Sequence, residues 1–327
     1  MPLMQLKHVD VVFEEKTGSF STRKFYAVKD VSLDIDEGDN LIVVGESGAG
    51  KSTLGRVIVG LQRPTSGQVL FKGYDIWKQK KRIAKEYRRS VQLVPQDPYS
   101  TLPYNKTVEA ILSVPIKTWK KLKGNELEKE IKRLLTLVKL TPPEDFLNKY
   151  PFQLSGGQRQ RLNIARSLSV DPKLIVADEP VTMIDASMRI SILNVLAEIK
   201  KELNLALVFI THDLSIARYF GYITGKGRTI VMFAGRIVEE GNIEDIIRTP
   251  LHPYTQDLIT LAPDISTRKM ESLREIRITY ERVTSGCRYR ERCKYAMPMC
   301  AKDEPALVKY GDSRAVACFL YSQQKKE

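Results

Sequence analysis

The sequence predicts an α/β fold: a mostly parallel sheet, an inserted helical subdomain and a small C-terminal cysteine-bearing extension. Three observations carry this. Short apolar runs at Leu41–Val44, Leu174–Ala177 and Leu205–Ile210 each end in glycine, acidic or polar residues, and each precedes a stretch with helical spacing, at Lys51–Leu61, Ser187–Leu203 and Ser215–Phe220. Strands that alternate with helices build parallel sheets covered on both faces. Between Asp97 and Asp171 the strand signal vanishes, while Asn125–Leu140 and Gln158–Ser169 set Leu and Ile at three and four spacing among charges, the pattern of helices. All four cysteines, Cys287, Cys293, Cys300 and Cys318, lie in the last fifth of the chain and none in the preceding 286 residues, which marks a module boundary.

At 327 residues, 43% hydrophobic and 28% charged, the chain can bury a sizeable core, which excludes a mini-domain and global disorder. No apolar stretch approaches the roughly 18 to 20 residues of a membrane span, and Met1–Asp10 lacks the pattern of a signal peptide. A membrane role is therefore expected to come through a partner. The net charge of +13 leaves a polyanionic ligand, a nucleic acid or an anionic surface open, and +6 of it falls in Ile265–Glu327. Thr229–Phe233 and Arg236–Glu239, around Ala234-Gly235, read as a terminal hairpin.

Gly45-Glu46-Ser47-Gly48-Ala49-Gly50-Lys51-Ser52-Thr53 matches GxxxxGK[ST] between a strand and a helix. Glycines let backbone N–H groups turn inward around phosphates, and the helix N-terminus adds its positive dipole end. Lys51 is expected to reach the β and γ phosphates, and Ser52 to offer its hydroxyl to Mg²⁺. The next apolar strand delivers Asp178 and Glu179 to its carboxyl end, where ligands of open α/β sheets bind. Asp178 is expected to hold Mg²⁺ and Glu179 to act on the attacking water as general base.

Leu154-Ser155-Gly156-Gly157-Gln158 opens a helix 20 residues before Asp178. In this order of motifs the sequence resembles the ATP-binding cassette family. The resemblance implies a P-loop nucleotide-binding domain over 1–263 with its helical subdomain at about 97–171, followed by an extension over 264–327. It implies ATP and Mg²⁺ as ligands, and Ser155, Gly156, Gly157 and Gln158 facing the γ-phosphate of ATP held by a second cassette subunit. Gln96 matches the glutamine loop that touches Mg²⁺ and the water, His212 the switch histidine on the γ-phosphate, and Asp185 a loop that crosses the dimer interface. Phe13 fits the adenine-stacking position if Glu14–Phe25 is an insertion; Tyr26 is the alternative.

Tyr150-Pro151, Gln158-Arg159-Gln160-Arg161, Leu251-His252-Pro253-Tyr254-Thr255 and the cysteine-bearing tail resemble the ATPases of oligopeptide and dipeptide importers. This implies a motor subunit peripheral to the cytoplasmic face of the cell membrane, docked on permease subunits and served by an external solute-binding protein, with no nucleic acid. Peptides, oligosaccharides and metal complexes all stand open as cargo, and the dimer as homomeric or heteromeric. A non-transport cassette ATPase acting on nucleic acid or ribosomes is the rival. The exposed segment Tyr99–Tyr104 is expected to form the permease ledge, and Gly221–Arg228 a surface loop.

The four cysteines are expected to hold one metal centre. Their gaps of five, six and seventeen residues are wider than the paired gaps usual in structural zinc sites. A [4Fe–4S] cluster is the first expectation, in keeping with similar tails in the family, and zinc the alternative. Arg288, Arg290, Arg292 and Lys294 are expected to offset the thiolate charge.

Overall fold

The computed structural model describes residues 1–16, 22–78, 81–225, 227–260 and 285–321. Its main sheet has eight strands, five of them parallel, in the order Val91–Val94, Leu174–Asp178, Ala206–Thr211, Asn40–Val44 and Arg228–Phe233. Arg236–Asn242 then pairs antiparallel with Arg228–Phe233 across the Ala234-Gly235 turn, in which both residues have positive φ, 46° and 85°. Two short strands of the extension, Arg314–Val316 and Val308–Tyr310, complete the antiparallel edge. The hairpin read as terminal thus lies inside the sheet.

The buried parallel strands are continuous apolar runs because helices and a second sheet cover their two faces. Alternation along each strand divides the core. Leu41 and Val43 face a cluster that includes Leu54, Val57 and Ile58 of the helix Lys51–Ile58 and the inner face of a four-stranded antiparallel sheet. That sheet orders Thr22–Ile35, Met4–Lys16, Ser66–Phe71 and Tyr74–Asp75. Ile42 and Val44 face the opposite cluster, with Ile192, Leu193 and Leu196 of Ala186–Leu203 and Phe220 of Leu214–Thr224. Phe209 and Phe220 stack there at 4.2 Å.

From Pro98 to Leu168 every described element is helical: Pro98–Thr101, Val108–Trp119, Gly124–Leu137, Glu144–Leu147, a 3₁₀ turn at Pro151–Gln153 and Gly156–Leu168. The expected boundary between 263 and 264 lies outside the described residues. Past it, Tyr289 is 2% exposed and joins the same core as the parallel sheet, with Cys287 and Cys293 packed on its margin. Gly221 corrects one expectation. It belongs to the helix Leu214–Thr224 and packs so tightly that an added Cβ would lie 2.8 Å from Ile243, so the segment from Gly221 is not a loop throughout.

Candidate active site

The fully buried strand Asn40–Val44 ends at Gly45, and the chain turns through Gly50 into the helix Lys51–Ile58. Two glycines are obligatory here. A Cβ on Gly45 would stand 2.3 Å from the Met232 carbonyl oxygen, and one on Gly50, at φ 98°, would stand 2.1 Å from that of Ala27. The Gly235 N–H donates to the Ala49 carbonyl at 2.9 Å, and the Lys29 N–H donates to the Gly235 carbonyl at 2.8 Å, so the hairpin turn pins the loop to the antiparallel sheet.

Lys51 is buried and its ammonium donates to the carbonyls of Gly45 and Glu46 at 2.8 and 2.9 Å. Burial pulls its pKa below the usual lysine value, while the carboxylates of Glu179, Asp178 and Glu46 act against the shift. The Ser52 hydroxyl donates to Asp178 Oδ1 at 2.9 Å, which joins the phosphate loop to the end of the next strand but one. Burial raises the Asp178 carboxyl, the Ser52 hydrogen bond lowers it, and the charge of Glu179 raises it. A hydroxyl and a carboxylate oxygen 2.9 Å apart are a hard-oxygen donor set of the kind Mg²⁺ takes.

Glu179 has φ 46°, a left-handed backbone uncommon outside glycine, held by its N–H donating to the Ile210 carbonyl at 3.0 Å. Its carboxylate is gripped from three sides. Gln96 Nε2 donates to Oε2 at 3.0 Å, the Thr182 hydroxyl donates to Oε2 at 3.1 Å, and His212 Nδ1 lies 3.1 Å from Oε1. Residues from three separate stretches of the chain therefore meet at one set of strand ends, with Lys51 and Asp178 alongside.

Ser155 caps the helix Gly156–Leu168. Its hydroxyl accepts from the Gln158 N–H at 3.3 Å while Gln158 Oε1 accepts from the Ser155 N–H at 3.0 Å, a reciprocal capping box. A Cβ on Gly156 would find Ile184 and the Met183 carbonyl within 3.9 Å, and one on Gly157 would meet Met188 at 3.6 Å. The helix start thus abuts the segment after Glu179, where exposed Asp185 leads the helix Ala186–Leu203. Thr53 lies on the helix of the phosphate loop, and Ser47 and Gly48 are exposed on it, with Ala49 buried beneath.

Residues 28–182 match the family described as ABC transporter, and residues 238–300 the one described as oligopeptide/dipeptide transporter, C-terminal region. The oligopeptide transport ATP-binding protein AppF of Bacillus subtilis is 37% identical over 330 residues, covering 98% of this chain and 98% of the relative. The chain belongs to the ABC transporter ATPases of the oligopeptide/dipeptide type. The dipeptide transport ATP-binding protein DppF of Escherichia coli is 36% identical over 334 residues, covering 99% and 96%. Among solved structures, a dimeric ATP-binding cassette in a post-hydrolysis state bound to ADP and Pi is similar, with a TM-score of 0.63 and 31% identity over 73% of this chain and 98% of that one. ATP binding and hydrolysis follow from membership of this family. The rival reading as a cassette working on nucleic acid finds no support in these comparisons, and neither does sugar transport.

The structure bears on two further expectations for this ABC ATPase. Phe13 packs its ring on Phe25 at 5.6 Å, whereas Tyr26 precedes Ala27, the residue against Gly50, and its carbonyl lies 2.9 Å from where a Cβ on Gly235 would be. It is Ala27, next to Tyr26, that adjoins the phosphate loop at Gly50. The metal centre, whether iron–sulfur cluster or zinc, finds no support here: among the described residues no three His, Cys, Asp or Glu converge to hold a metal ion. Cys287, Cys293, Cys300 and Cys318 nevertheless line one narrow recess. Burial raises Cys287 and Cys293 above the usual thiol range and pushes Cys318 up to about 11. Nor do the flanking arginines serve the thiols alone, as their partners are Glu304 and the Ala234 carbonyl for Arg288, the Ser285 and Ala301 carbonyls for Arg290, and Glu46 for Arg292.

Sequence reasoning missed two contributors. The Tyr254 hydroxyl accepts from the Glu46 N–H at 2.8 Å, and Arg292 Nη1 donates to Glu46 Oε1 at 3.0 Å. Tyr254 stands in the His-Pro-Tyr-Thr segment, so its signal was in view without a role attached. Arg292 carried no local signal, because its partner lies 246 residues away.

Proposed function

We propose that this chain is the motor subunit of a peptide importer, in which Glu179 is the general base for ATP hydrolysis. The threefold hold on its carboxylate by Gln96, Thr182 and His212 carries the reading. A fixed carboxylate at the strand ends, beside a lysine aimed at phosphate, is the arrangement that positions a water for in-line attack. Glu179 takes the proton of that water. Lys51 exchanges its two carbonyl partners for phosphate oxygens, and His212 hands charge stabilisation to the γ-phosphate. Ser52 and Asp178 would hold Mg²⁺, which neutralises phosphate charge when bound.

The working unit is a cassette dimer in which Ser155, Gly156, Gly157 and Gln158 of one subunit close over the nucleotide of the other. Support comes from the exposed apolar side chains Met183, Met188 and Ile190 around the signature helix start. Among the described residues no helix is long and apolar enough to cross a membrane, so force reaches the bilayer through permease subunits. Tyr99 and Tyr104 are 58% and 77% exposed and fit that docking, while Leu102 is buried beneath them. The chain then sits at the cytoplasmic face, with an external binding protein selecting the solute; the relatives' names support peptide as that solute. Glu179→Gln should retain ATP binding, lower kcat at least about a hundredfold and trap an ATP-bound dimer visible by gel filtration. Wild-type turnover in that variant refutes the general-base role.

The cysteines of the extension are proposed to hold a [4Fe–4S] cluster, with zinc as the alternative. What supports this reading is that the four cysteines line one recess, and four thiolates suffice to ligate such a cluster. Anaerobically purified protein should be brown and carry about four irons per chain. One zinc per chain moves the site to zinc, and metal-free protein with four titratable thiols removes it.

A further inference from the structure

We propose that Arg292, carried on the cysteine-bearing extension, is a positioning residue of the nucleotide site: it neutralises Glu46 so that the phosphate loop meets ATP without an uncompensated carboxylate. The inference rests on the phosphate loop being where ATP binds. Glu46 is an awkward residue there. Its side chain is only 18% exposed, close enough to Lys51 to act on the lysine's charge, and a bare carboxylate at that position repels a triphosphate. Arg292 answers it with Nη1 at 3.0 Å from Oε1 and 3.4 Å from Oε2, itself 24% exposed.

The guanidinium does not hang from a free chain. It lies over the rings of Phe233 and Tyr289, at 5.7 and 5.4 Å from their centroids. Those rings pack with Tyr254 in one aromatic cluster, Phe233–Tyr254 at 4.6 Å, Phe233–Tyr289 at 5.2 Å and Tyr254–Tyr289 at 5.5 Å. Tyr254, buried, takes the Glu46 backbone N–H, so the same cluster grips both the peptide and the carboxylate of one loop residue. An exposed ion pair contributes little because both ends are mobile and solvated. Here one end is fixed by ring stacking and the other by a backbone hydrogen bond, which lowers the entropic cost of pairing.

A staple that only fastens the extension would give the same contacts, so the test must separate charge from architecture. ATP affinity of the full-length chain is measured with a fluorescent ATP analogue and Mg²⁺, beside steady-state ATPase kinetics. Arg292→Gln keeps a planar polar end while removing the charge. It should weaken ATP binding about tenfold, the loss falling on KM rather than kcat, and Arg292→Lys should recover part of it. In the double variant Arg292→Gln/Glu46→Gln the offending carboxylate is gone as well, and about the same tenfold should return. Unchanged affinity in Arg292→Gln overturns the proposal, and so does a double variant as weak as the single one. Lys51→Ala serves as the reference: if it binds ATP as the wild type does, the nucleotide-site reading itself has failed, whatever Arg292 does.

Discussion

Gln96 donates its side-chain N–H to Glu179 across 83 residues of sequence, and the bond joins the ends of two neighbouring parallel strands. Val94 and Ala177 are in register, so the residues just beyond them emerge side by side. Gln96 is followed within two residues by Pro98, the first residue of the helical segment, whose cap is Asp97 accepting from the Tyr99 N–H. A displacement of that segment should therefore be felt at the carboxylate proposed as the base. One amide would then link the exposed Tyr99 to the proposed chemistry.

Removing that amide should loosen the base without emptying the site. In Gln96→Ala the Glu179 carboxylate keeps Thr182 and His212 but loses the partner that ties it to the helical segment. We expect kcat to fall about tenfold, with ATP affinity moving less than about threefold. Reconstituted with its permease, the variant should also lose stimulation of ATPase by transport substrate. Full stimulation at reduced basal rate would separate Gln96 from coupling.

The parallel strands, the helical stretch and the phosphate loop were legible because each has a local pattern: continuous apolar runs, three and four spacing, glycines before Lys51. The antiparallel sheet of Met4–Lys16 and Thr22–Ile35 was not. Its register shifts at Leu6, Val9 and Val11 break the alternation that reveals half-buried strands. The expected bounds at about 97 and 171 came from the strand signals on either side, Val91–Val94 and Leu174–Asp178. The adenine position stayed open between Phe13 and Tyr26 for another reason: an aromatic on a strand says nothing about which face it takes until its pairing is known, and Phe13 pairs with Phe25. Arg292 illustrates the deeper limit, since a charge pair closed by tertiary folding leaves no mark at either end.

His252 should make the His-Pro-Tyr-Thr segment sensitive to acid. It is buried, its Nδ1 accepts from the Tyr254 N–H at 3.0 Å, and its own N–H donates to Glu239, a fully buried carboxylate that also accepts from Arg314. Burial pushes the imidazole pKa down to about 3 from its ordinary 6.5. The folded state thus binds a proton less readily than the unfolded one, so its stabilisation is complete above the unfolded value and is lost as pH falls from about 6.5 toward about 3. Asp178, raised by burial, works in the opposite direction, so the comparison must be with a variant. His252→Asn keeps an acceptor near the Tyr254 N–H and does not titrate. Between about pH 7 and about pH 5 the wild type should lose about 2 kcal/mol more than the variant in urea unfolding. Parallel losses in the two proteins would show that His252 is not the titrating group.

The adenine contact decides between two rings that are close in sequence and opposite in placement. Phe25 and Tyr26 are consecutive in an extended strand, so their side chains take opposite faces, and Phe13 goes with Phe25. Tyr26 is 39% exposed, with the Lys29 ammonium 4.1 Å and the Arg288 guanidinium 5.6 Å from its ring centre. A partly exposed ring can take a base by stacking, which contributes about 1 to 3 kcal/mol. Tyr26→Ala should therefore weaken ATP binding about tenfold or more, while Tyr26→Phe, which keeps the ring, should stay within about twofold of wild type. Phe13→Ala should leave affinity within about twofold and show its effect in a lowered Tm, through the lost Phe25 contact. Calorimetric titration of the three variants with ATP reads both quantities on the same preparations. Equal losses of affinity at Phe13 and Tyr26 would mean that the two strands move together under the base, and a loss at Phe13 alone would return the stacking role to it.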